Sequence, residues 1–250
     1  MQDGYTGDIG DFSKLGLLRQ LRCDELSIGV NWYRTPYHDL GKHTAYLKKE
    51  EFCCCDRELC RALKEIVDSG RRQVAALEGL LPDTAKFYSP PLVSDVPRDQ
   101  RQIEREAWHT QALKHLGSCD IIFVDQDNGL MVPSAQGTPQ SNKFVLASEL
   151  ADYYRGGASV IYYQHKARRP DDFYIQQHRQ LLAPEAFSGV FPGAMGLGLK
   201  FTKTSQRYYF FFLQPRHRAA VCASVARMME TPWRAHFELL LPSQFEAASI

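Results

Sequence analysis

Three oxygen-bearing side chains follow one short apolar run of the sequence. Asp125, Asp127 and Asn128 come directly after residues 121–124, whose β-branched and aromatic side chains predict a buried strand. With a ligand from another loop, the two aspartates can hold Mg²⁺ or Mn²⁺, and such an ion would orient a phosphate and activate water. Alternatively, Asn128 reads an adenine-like base while Asp125 orients the substrate or accepts a proton. A tight turn is the third interpretation, because Asn128-Gly129 favours a positive φ.

Other polar side chains follow the neighbouring predicted strands. Asp39 and His43 come after the first of these strands, and His165 ends the segment ASVIYYQH. Ligands of open parallel sheets bind outside the carboxyl ends of the strands, where the crossover loops meet. We therefore expect these residues to gather with residues 125–128. His165 is then a base, a metal ligand or a hydrogen-bonded end of its strand.

The segment GYTGDIGDFSK, residues 4–14, places two acids and a lysine around the start of a predicted helix. Asp8 and Asp11 can donate oxygens to a metal ion that Asp127 also binds, or Asp11 can cap the helix. Lys14 lies in the first turns of that helix. The glycines do not predict a phosphate-binding loop, because no Gly-Lys-Ser/Thr follows them.

Apolar periodicity divides the chain into alternating helices and strands. Spacing of three to four predicts helices in five segments: 10–22, 56–81 with a break near Gly70, 98–119 with the helix ending at Gly117, 141–157 and 218–230. Aromatic and β-branched runs predict strands in five others: 27–36, 84–92, 120–125, 158–165 and 192–215, the last with two strands around a Thr/Ser turn. This order predicts an α/β, Rossmann-like fold: a mostly parallel sheet flanked by helices, with a late antiparallel hairpin. We expect one α/β domain over residues 1–250.

The net charge of +1 conceals an uneven distribution. No Asp or Glu occurs in residues 186–229, whereas this stretch holds six basic residues: Lys200, Lys203, Arg207, Arg216, Arg218 and Arg227. A stretch of one sign attracts phosphate-rich partners, unless folding pairs it with acids from elsewhere. It therefore predicts either a nucleic-acid or nucleotide-like partner or a surface of mixed sign.

The apolar and cysteine content indicates the compartment. No apolar run approaches the roughly 18 residues of a membrane span, and the first residues do not form a secretory leader. We expect a cytoplasmic protein without a membrane partner, and hence reduced thiols at its seven cysteines. The cluster of Cys53, Cys54 and Cys55 is interpreted as small apolar fillers at a helix start or as part of a structural metal site.

This layout resembles the class I S-adenosylmethionine-dependent methyltransferases, in particular the bacterial ribosomal-RNA adenine-N6 methyltransferases. GDIGDFSKLGLLRQL resembles their opening segment, IGVNWYRTP their first strand, and FVDQDNG the strand that carries their Asp-Pro-Pro-Tyr motif. ADYYRGGASVIYYQH resembles the helix, glycine turn and aromatic strand that follow. The resemblance covers roughly residues 4–47 and 119–166. The chain is also similar to an uncharacterised group of bacterial proteins whose corresponding segment reads Asp-Pro-Asp-Asn-Gly.

The resemblance implies a methyltransferase-like enzyme that acts on a nucleic acid or nucleotide-like substrate with S-adenosylmethionine as cofactor. Position by position it supports Asp125 as a catalytic residue and Lys14 as a site residue; with the strand-end residues above, we expect four catalytic residues: Asp125, Asp127, Asn128 and His165. It implies a cofactor site at five others: Lys14, Trp32, Tyr33, Asp39 and His43. The sequence departs from the family in two places, since the first strand is not followed by a glycine-rich turn and Asp125 is not followed by prolines.

Two alternatives stay open on the sequence. The first is a metal-dependent phosphodiesterase or nuclease that binds Mg²⁺ or Mn²⁺ through Asp8, Asp11 and Asp127. The second is a non-catalytic protein that binds nucleic acid or another partner and has a degenerate cofactor pocket.

Overall fold

The computed structural model of the chain describes residues 1–21, 26–36, 41–183 and 191–245. Its helices are α1 Ile9–Gln20, α2 Glu50–Cys53, α3 Arg57–Asp68, α4 Ala75–Glu78, α5 Arg98–Leu116, α6 Ala147–Arg155, α7 Asp171–Leu182 and α8 Arg218–Met229. Its strands are β1 Ile28–Asn31, β2 Lys86–Tyr88, β3 Ile121–Val124, β4 Gly129–Leu130, β5 Phe144–Val145, β6 Ser159–His165, β7 Met195–Phe201, β8 Arg207–Leu213 and β9 Phe237–Leu240.

Seven strands form one sheet in the order β2-β1-β3-β6-β8-β7-β9. The first four strands of this order are parallel, whereas β8 runs antiparallel between β6 and β7, and β9 runs antiparallel to β7. The predicted α/β, Rossmann-like class with a late antiparallel hairpin is confirmed. Because β1 has β2 on one side and β3 on the other, the order of the parallel strands reverses between β1 and β3.

Helices cover both faces of the sheet, because alternate strand residues point to opposite sides. In β8, Tyr209, Phe211 and Leu213 belong to the core that contains the apolar side chains of α1, α3 and α8. Tyr208, Phe210 and Phe212 belong to the second core, which contains those of α5, α6 and α7. This arrangement buries every residue of β3 and β8 and all of β6 except the half-buried His165 at its end.

Two predicted helices are shorter in the structure. The segment predicted as helix over 141–157 begins its helix only at Ala147, because Phe144 and Val145 pair with β4 in a separate two-stranded parallel sheet. The helical segment predicted over 56–81 divides into the shorter helices α3 and α4; the predicted break near Gly70 is confirmed, since the chain turns there with a φ of +69°. That backbone conformation favours glycine and ends the helical path.

The expectation of reduced thiols is wrong for one pair of cysteines. Cys53, the last residue of α2, forms a disulfide with Cys60 in the first turn of α3, with a Cα–Cα distance of 5.3 Å. Cys54 and Cys55 are free thiols next to it. The turn between two short helices brings positions seven residues apart together, which neither interpretation of the cluster had considered.

The search for membrane spans concerns the described residues. None of the helices formed by residues 1–21, 26–36, 41–183 and 191–245 combines the length and the apolar character that crossing a membrane requires.

Candidate functional site

A cavity of about 420 Å³ opens at the carboxyl ends of β3 and β6. It lies close to the reversal of strand order, where open α/β sheets bind their ligands. Its wall also includes the start of the chain, the start of α1, residues 41–43 and the turn between β7 and β8. Eight of the predicted site residues line it: Asp8, Asp11, Lys14, His43, Asp125, Asp127, Asn128 and His165. The topology therefore brings most of the predicted residues together.

Asp125 follows β3 directly, and its carboxylate is buried in the cavity wall. The Lys14 ammonium donates a hydrogen bond to its Oδ2 at 2.5 Å. Lys14 also pairs with Asp11 at 2.9 Å, and Asp11 accepts the backbone N–H of Gly7 at 2.7 Å. The buried Lys14 ammonium thus forms ion pairs with two buried carboxylates, those of Asp11 and Asp125.

This sharing shifts the proton affinities of both partners. Burial raises the pKa of the Asp125 carboxyl above its usual value, although the Lys14 and Met1 ammonium groups oppose the shift. Burial alone would lower the pKa of Lys14, but the charges of Asp11 and Asp125 outweigh it and raise that pKa. Lys14 is therefore a permanent cation. Asp125 is a carboxylate of raised basicity, which is the property that a proton acceptor needs.

The carboxylate of Asp127 holds the first two residues of the sequence in place. Its Oδ1 lies 2.8 Å from the Met1 ammonium, and its Oδ2 accepts a hydrogen bond from the Gln2 amide at 3.0 Å. The Met1 ammonium also donates to the backbone carbonyl of Tyr33 at 2.8 Å. Burial would raise the pKa of Asp127, but the Met1 ammonium and Gln2 outweigh it and bring that pKa below its usual value. Asp127 is thus an ionised and already partnered group.

Asp8 precedes α1 and pairs with Arg72 at 2.6 Å. Arg72 also donates to the carbonyl of Gly41 at 2.8 Å, and a Cβ on Gly41 would lie 2.3 Å from the Asp8 carboxylate. Burial raises the pKa of Asp8, against the opposing effect of Arg72. The carbonyl of His43 accepts the backbone N–H of Ile9 at 3.0 Å. These contacts fix the loop that carries His43 to the start of α1.

Asn128 and Gly129 form the turn that their residue types predict. Gly129 has a φ of +126°, and a Cβ there would lie 2.1 Å from Oε1 of Gln164. The Gln164 amide donates to the Asn128 carbonyl at 3.1 Å, and its oxygen accepts the backbone N–H of Leu130 at 3.0 Å. The predicted positive φ is confirmed at Gly129. The turn also holds Asn128, which is half-buried, against the cavity.

Three side chains from β6 and β8 form another part of the wall: Tyr163, His165 and Arg207. His165 and Arg207 are cross-strand partners in the antiparallel register. Nδ1 of His165 lies 3.3 Å from the Tyr163 hydroxyl, and the Arg207 guanidinium lies 5.9 Å from the centre of the Tyr163 ring. Burial and the charge of Arg207 lower the pKa of His165. His165 is therefore neutral near pH 7 and can accept a hydrogen bond.

Trp32 and Tyr33 lie in the protein core and do not line the cavity. The Trp32 indole donates to Glu78 at 3.0 Å, and the Tyr33 hydroxyl donates to Glu149 at 3.0 Å. Tyr33 adopts a φ of 42°, an unusual backbone conformation for a large side chain. The structure thus gives both rings interior partners in place of the predicted ligand contact. Asp39, the remaining predicted cofactor residue, lies outside the described residues.

The acid-free stretch does not form one continuous basic face. Lys200 pairs with Asp171 at 2.7 Å, and it lies 3.8 Å from Glu238. Arg216 donates to the carbonyl of Gly157. Arg207 alone among the basic residues of that stretch lines the described wall of the cavity. Sequence reasoning did not single it out, because its place opposite His165 depends on a strand register that the sequence does not reveal.

The carboxylates of the cavity are paired with protein cations. Asp8 pairs with Arg72, Asp11 with Lys14, and Asp127 with the Met1 ammonium. A divalent ion would have to displace these cations. In the described part of the chain, no group of three or more His, Cys, Asp or Glu side chains is arranged to hold a metal ion.

Among solved structures, the chain is similar to the crystal structure of protein LPL1258 from Legionella pneumophila str. Philadelphia 1, assigned to the family model DUF519. The two chains are 9% identical with a TM-score of 0.45, over 94% of this chain and 96% of that one. No protein-family model matches the chain, and no curated protein matches it. The site is therefore interpreted from its own geometry.

Proposed function

We propose that the protein is a methyltransferase-like enzyme that acts on a nucleotide or nucleic-acid substrate bound in this cavity. The observation that carries the proposal is the buried carboxylate of Asp125, with its raised pKa, in the wall of a cavity of about 420 Å³. This volume lies within the range of about 300–1,000 Å³ that small-molecule sites occupy. A carboxylate with a perturbed pKa in a cleft of an α/β sheet is a candidate for a reacting group.

Asp125 would orient the substrate and accept its proton. Lys14 occupies Oδ2, so Oδ1 is the oxygen that a substrate amine or hydroxyl would contact. The half-buried Asn128 adds an amide, and amides recognise the adenine edge through one donor and one acceptor. The neutral imidazole of His165 supplies a further acceptor. Together these groups suit the hydrogen-bonding edge of a nucleobase.

Basic side chains around the cavity support a phosphate-bearing substrate. Lys42 and Lys143 line the cavity itself. Arg168 and Arg169 are exposed just after β6, and Lys203 is exposed in the turn between β7 and β8. These segments belong to the same edge of the sheet as the end of β3. A polyanion that reached the cavity would therefore meet positive charge along its path.

S-adenosylmethionine, the donor that the resemblance implies, does not fit the segment after β1 as it stands. Trp32 and Tyr33 are fully buried there, and the Met1 ammonium is bonded to the Tyr33 carbonyl. The chain has no glycine between Asn31 and Pro36 that would let a ligand approach the backbone. The cavity beside Asp125 offers room for one nucleotide-sized ligand. The chemistry supported by these residues is therefore substrate binding and proton acceptance.

A non-catalytic protein that binds a nucleotide or nucleic acid is the second candidate. The closed segment after β1 favours it, because such a protein needs no room for a methyl donor. The metal-dependent phosphodiesterase is less well supported, since Asp8, Asp11 and Asp127 already have cationic partners.

Calorimetric titration with adenosine, AMP and S-adenosylmethionine tests the proposal. We expect the wild-type protein to bind nucleosides, and Asp125→Asn to weaken that binding about tenfold, the value of a hydrogen bond to a charged group. Asp120→Asn is the matched control, because Asp120 precedes the same strand at the opposite edge of the sheet. It removes the same charge without touching the cavity.

The three ligands distinguish the methyltransferase-like enzyme from the non-catalytic binding protein. Binding of S-adenosylmethionine in addition to a nucleoside, with Asp125→Asn weakening binding of the nucleoside alone, supports the enzyme. Binding of adenosine or AMP without any binding of S-adenosylmethionine supports the non-catalytic protein. If no nucleoside binds at millimolar concentration, or if Asp120→Asn weakens binding as much as Asp125→Asn, the cavity is not the site.

A further inference from the structure

Arg207 is a buried cation, and only two of its three guanidinium nitrogens make hydrogen bonds within the described residues. It is 5% exposed, and its Nε and Nη2 both donate to the backbone carbonyl of Ser205, at 2.9 and 2.6 Å. The rings of Tyr163 and Phe201 lie 5.9 and 5.8 Å from its guanidinium carbon. Nη1 has no hydrogen-bond partner among the described residues. A guanidinium that is held rigidly in this way, with free N–H groups beside a cavity, is preorganised for an anion.

No carboxylate neutralises this guanidinium. Within residues 1–21, 26–36, 41–183 and 191–245, Arg207 makes no ion pair, whereas Lys14 and the Met1 ammonium are each paired with aspartates in the same cavity. A buried charge without a counter-ion is unfavourable, and a bound anion would reduce this cost. The anion would supply the missing charge.

The start of α1 closes the other side of this position. Gly10, in the first turn of α1, lines the cavity, and a Cβ there would lie 2.3 Å from Nη1 of Arg207. Glycine at this position therefore lets the guanidinium lie against the helix start. At this helix start the N–H groups of Ile9, Asp11 and Phe12 already donate to backbone carbonyls, whereas no such bond is made by Gly10 N–H within the described residues, so Gly10 is the position where an anion at Nη1 would meet the helix.

We propose that Arg207, with the start of α1 at Gly10, forms the phosphate-binding subsite of the cavity. The inference rests on the proposed function and names its substrate class: a nucleotide that carries a phosphate group, either free or within nucleic acid. Arg207 binds a phosphate oxygen through Nη1, and the neutral imidazole of its cross-strand partner His165 lies beside it to hydrogen-bond the same ligand. The base then lies toward Asp125 and Asn128 in the same cavity.

Calorimetry with four probes tests this subsite: inorganic phosphate, adenosine, AMP and a short single-stranded RNA. We expect AMP to bind about tenfold or more tightly than adenosine, as charge-assisted hydrogen bonds to a phosphate provide. Arg207→Gln should abolish this difference, and Arg207→Lys should keep only part of it. Gly10→Ala should also reduce it, because the added methyl group displaces the guanidinium while Arg207 itself is retained.

Arg155→Gln is the control for a lost arginine, since Arg155 is exposed at the end of α6. It should retain the full preference for AMP. Equal binding of AMP and adenosine by the wild-type protein would overturn the subsite, as would a preference that survives in Arg207→Gln. If Arg207→Gln fails to fold, the affinities of Gly10→Ala for AMP and adenosine test the subsite instead.

The remaining probes separate this inference from the proposed function. If inorganic phosphate binds in an Arg207-dependent way but adenosine and AMP do not bind, the result supports the anion subsite and contradicts the proposed nucleotide function. If adenosine binds but AMP binds no more tightly than adenosine, the result supports the proposed function and contradicts the subsite. RNA that binds more tightly than AMP, still through Arg207, identifies the phosphate as part of a nucleic acid. AMP that binds more tightly than RNA identifies a free nucleotide.

Discussion

Replacing Lys14 by methionine tests the electrostatic arrangement on which the site depends. Methionine retains much of the side-chain length but removes the ammonium that lies 2.9 Å from Asp11 and 2.5 Å from Asp125. Both carboxylates are buried, with 3% and 4% of their side-chain surface exposed. Because water cannot solvate them, the variant must either fold with two uncompensated charges or protonate at least one of them.

The expected loss of folding free energy is about 3–5 kcal/mol near pH 7, the usual effect of removing one partner from a buried ion pair. Adding Asp125→Asn to Lys14→Met should recover about half of this loss, because the second substitution removes one of the two stranded carboxylates. The stability of Lys14→Met should also increase on mild acidification, since protonation neutralises the remaining carboxylates.

Urea unfolding, followed by circular dichroism and tryptophan fluorescence, measures these changes. Lys64→Met is the matched control, because Lys64 forms an exposed pair with Asp68 on α3 and should change stability by only about 0.5 kcal/mol or less. A loss below about 1 kcal/mol in Lys14→Met would refute the reasoning, since a solvated or absent pair gives values of that size. No recovery in the double variant would show that Asp125 is not the coupled partner.

Three further predictions concern other parts of the fold. Burial lowers the pKa of His178 to about 3, so the neutral form is favoured in the folded state; stability is fully present above the unfolded-state pKa of about 6.5 and falls as the pH drops from there toward about 3. Between these two pH values, the free energy of unfolding of His178→Phe should change less steeply with pH than that of the wild-type protein, by up to about 1.4 kcal/mol per pH unit. An unchanged slope would contradict the lowered pKa of His178. Gly129→Ala should lose on the order of 1–3 kcal/mol more than Gly193→Ala in urea unfolding, because a Cβ meets the Gln164 amide at Gly129 and nothing within 4 Å at Gly193; equal losses would contradict the close approach. Cys60→Ser should lower stability by about 2.5 kcal/mol in the absence of reductant, the effect of opening a short disulfide loop, and should have no effect in dithiothreitol; alkylation of Cys53 in the untreated wild-type protein would contradict the disulfide.

Local patterns in the sequence indicate most of the elements. The apolar run of β3 and the helical spacing of α1 are properties of neighbouring residues, so the sequence alone predicts them. The gathering of Asp125, Asn128 and His165 at one edge of the sheet follows from a general rule, because parallel strands bring the loops at their carboxyl ends together. Lys14 lies on a helix that precedes β1, so this rule does not predict its pairing with Asp125. These inferences need only the order of strands and helices along the chain.

The details that complete the site depend on long-range pairing. Arg207 reaches the cavity because β8 lies antiparallel to β6, which places it opposite His165, and a shift of one residue would turn it to the other face. Trp32 follows β1 yet is directed to Glu78 in the interior. The sequence around Trp32 does not show whether its ring faces a ligand site or the core, because apolar rings suit both.

A crystal structure of the protein with AMP tests the central claim most directly, namely that the cavity between Asp125 and Arg207 is a nucleotide site. We expect density for the base against Asp125 and Asn128, with the phosphate within about 3 Å of Nη1 of Arg207. Density for AMP elsewhere on the protein, with the Arg207 guanidinium and the Lys14–Asp125 pair unchanged and the cavity holding only solvent, would contradict it.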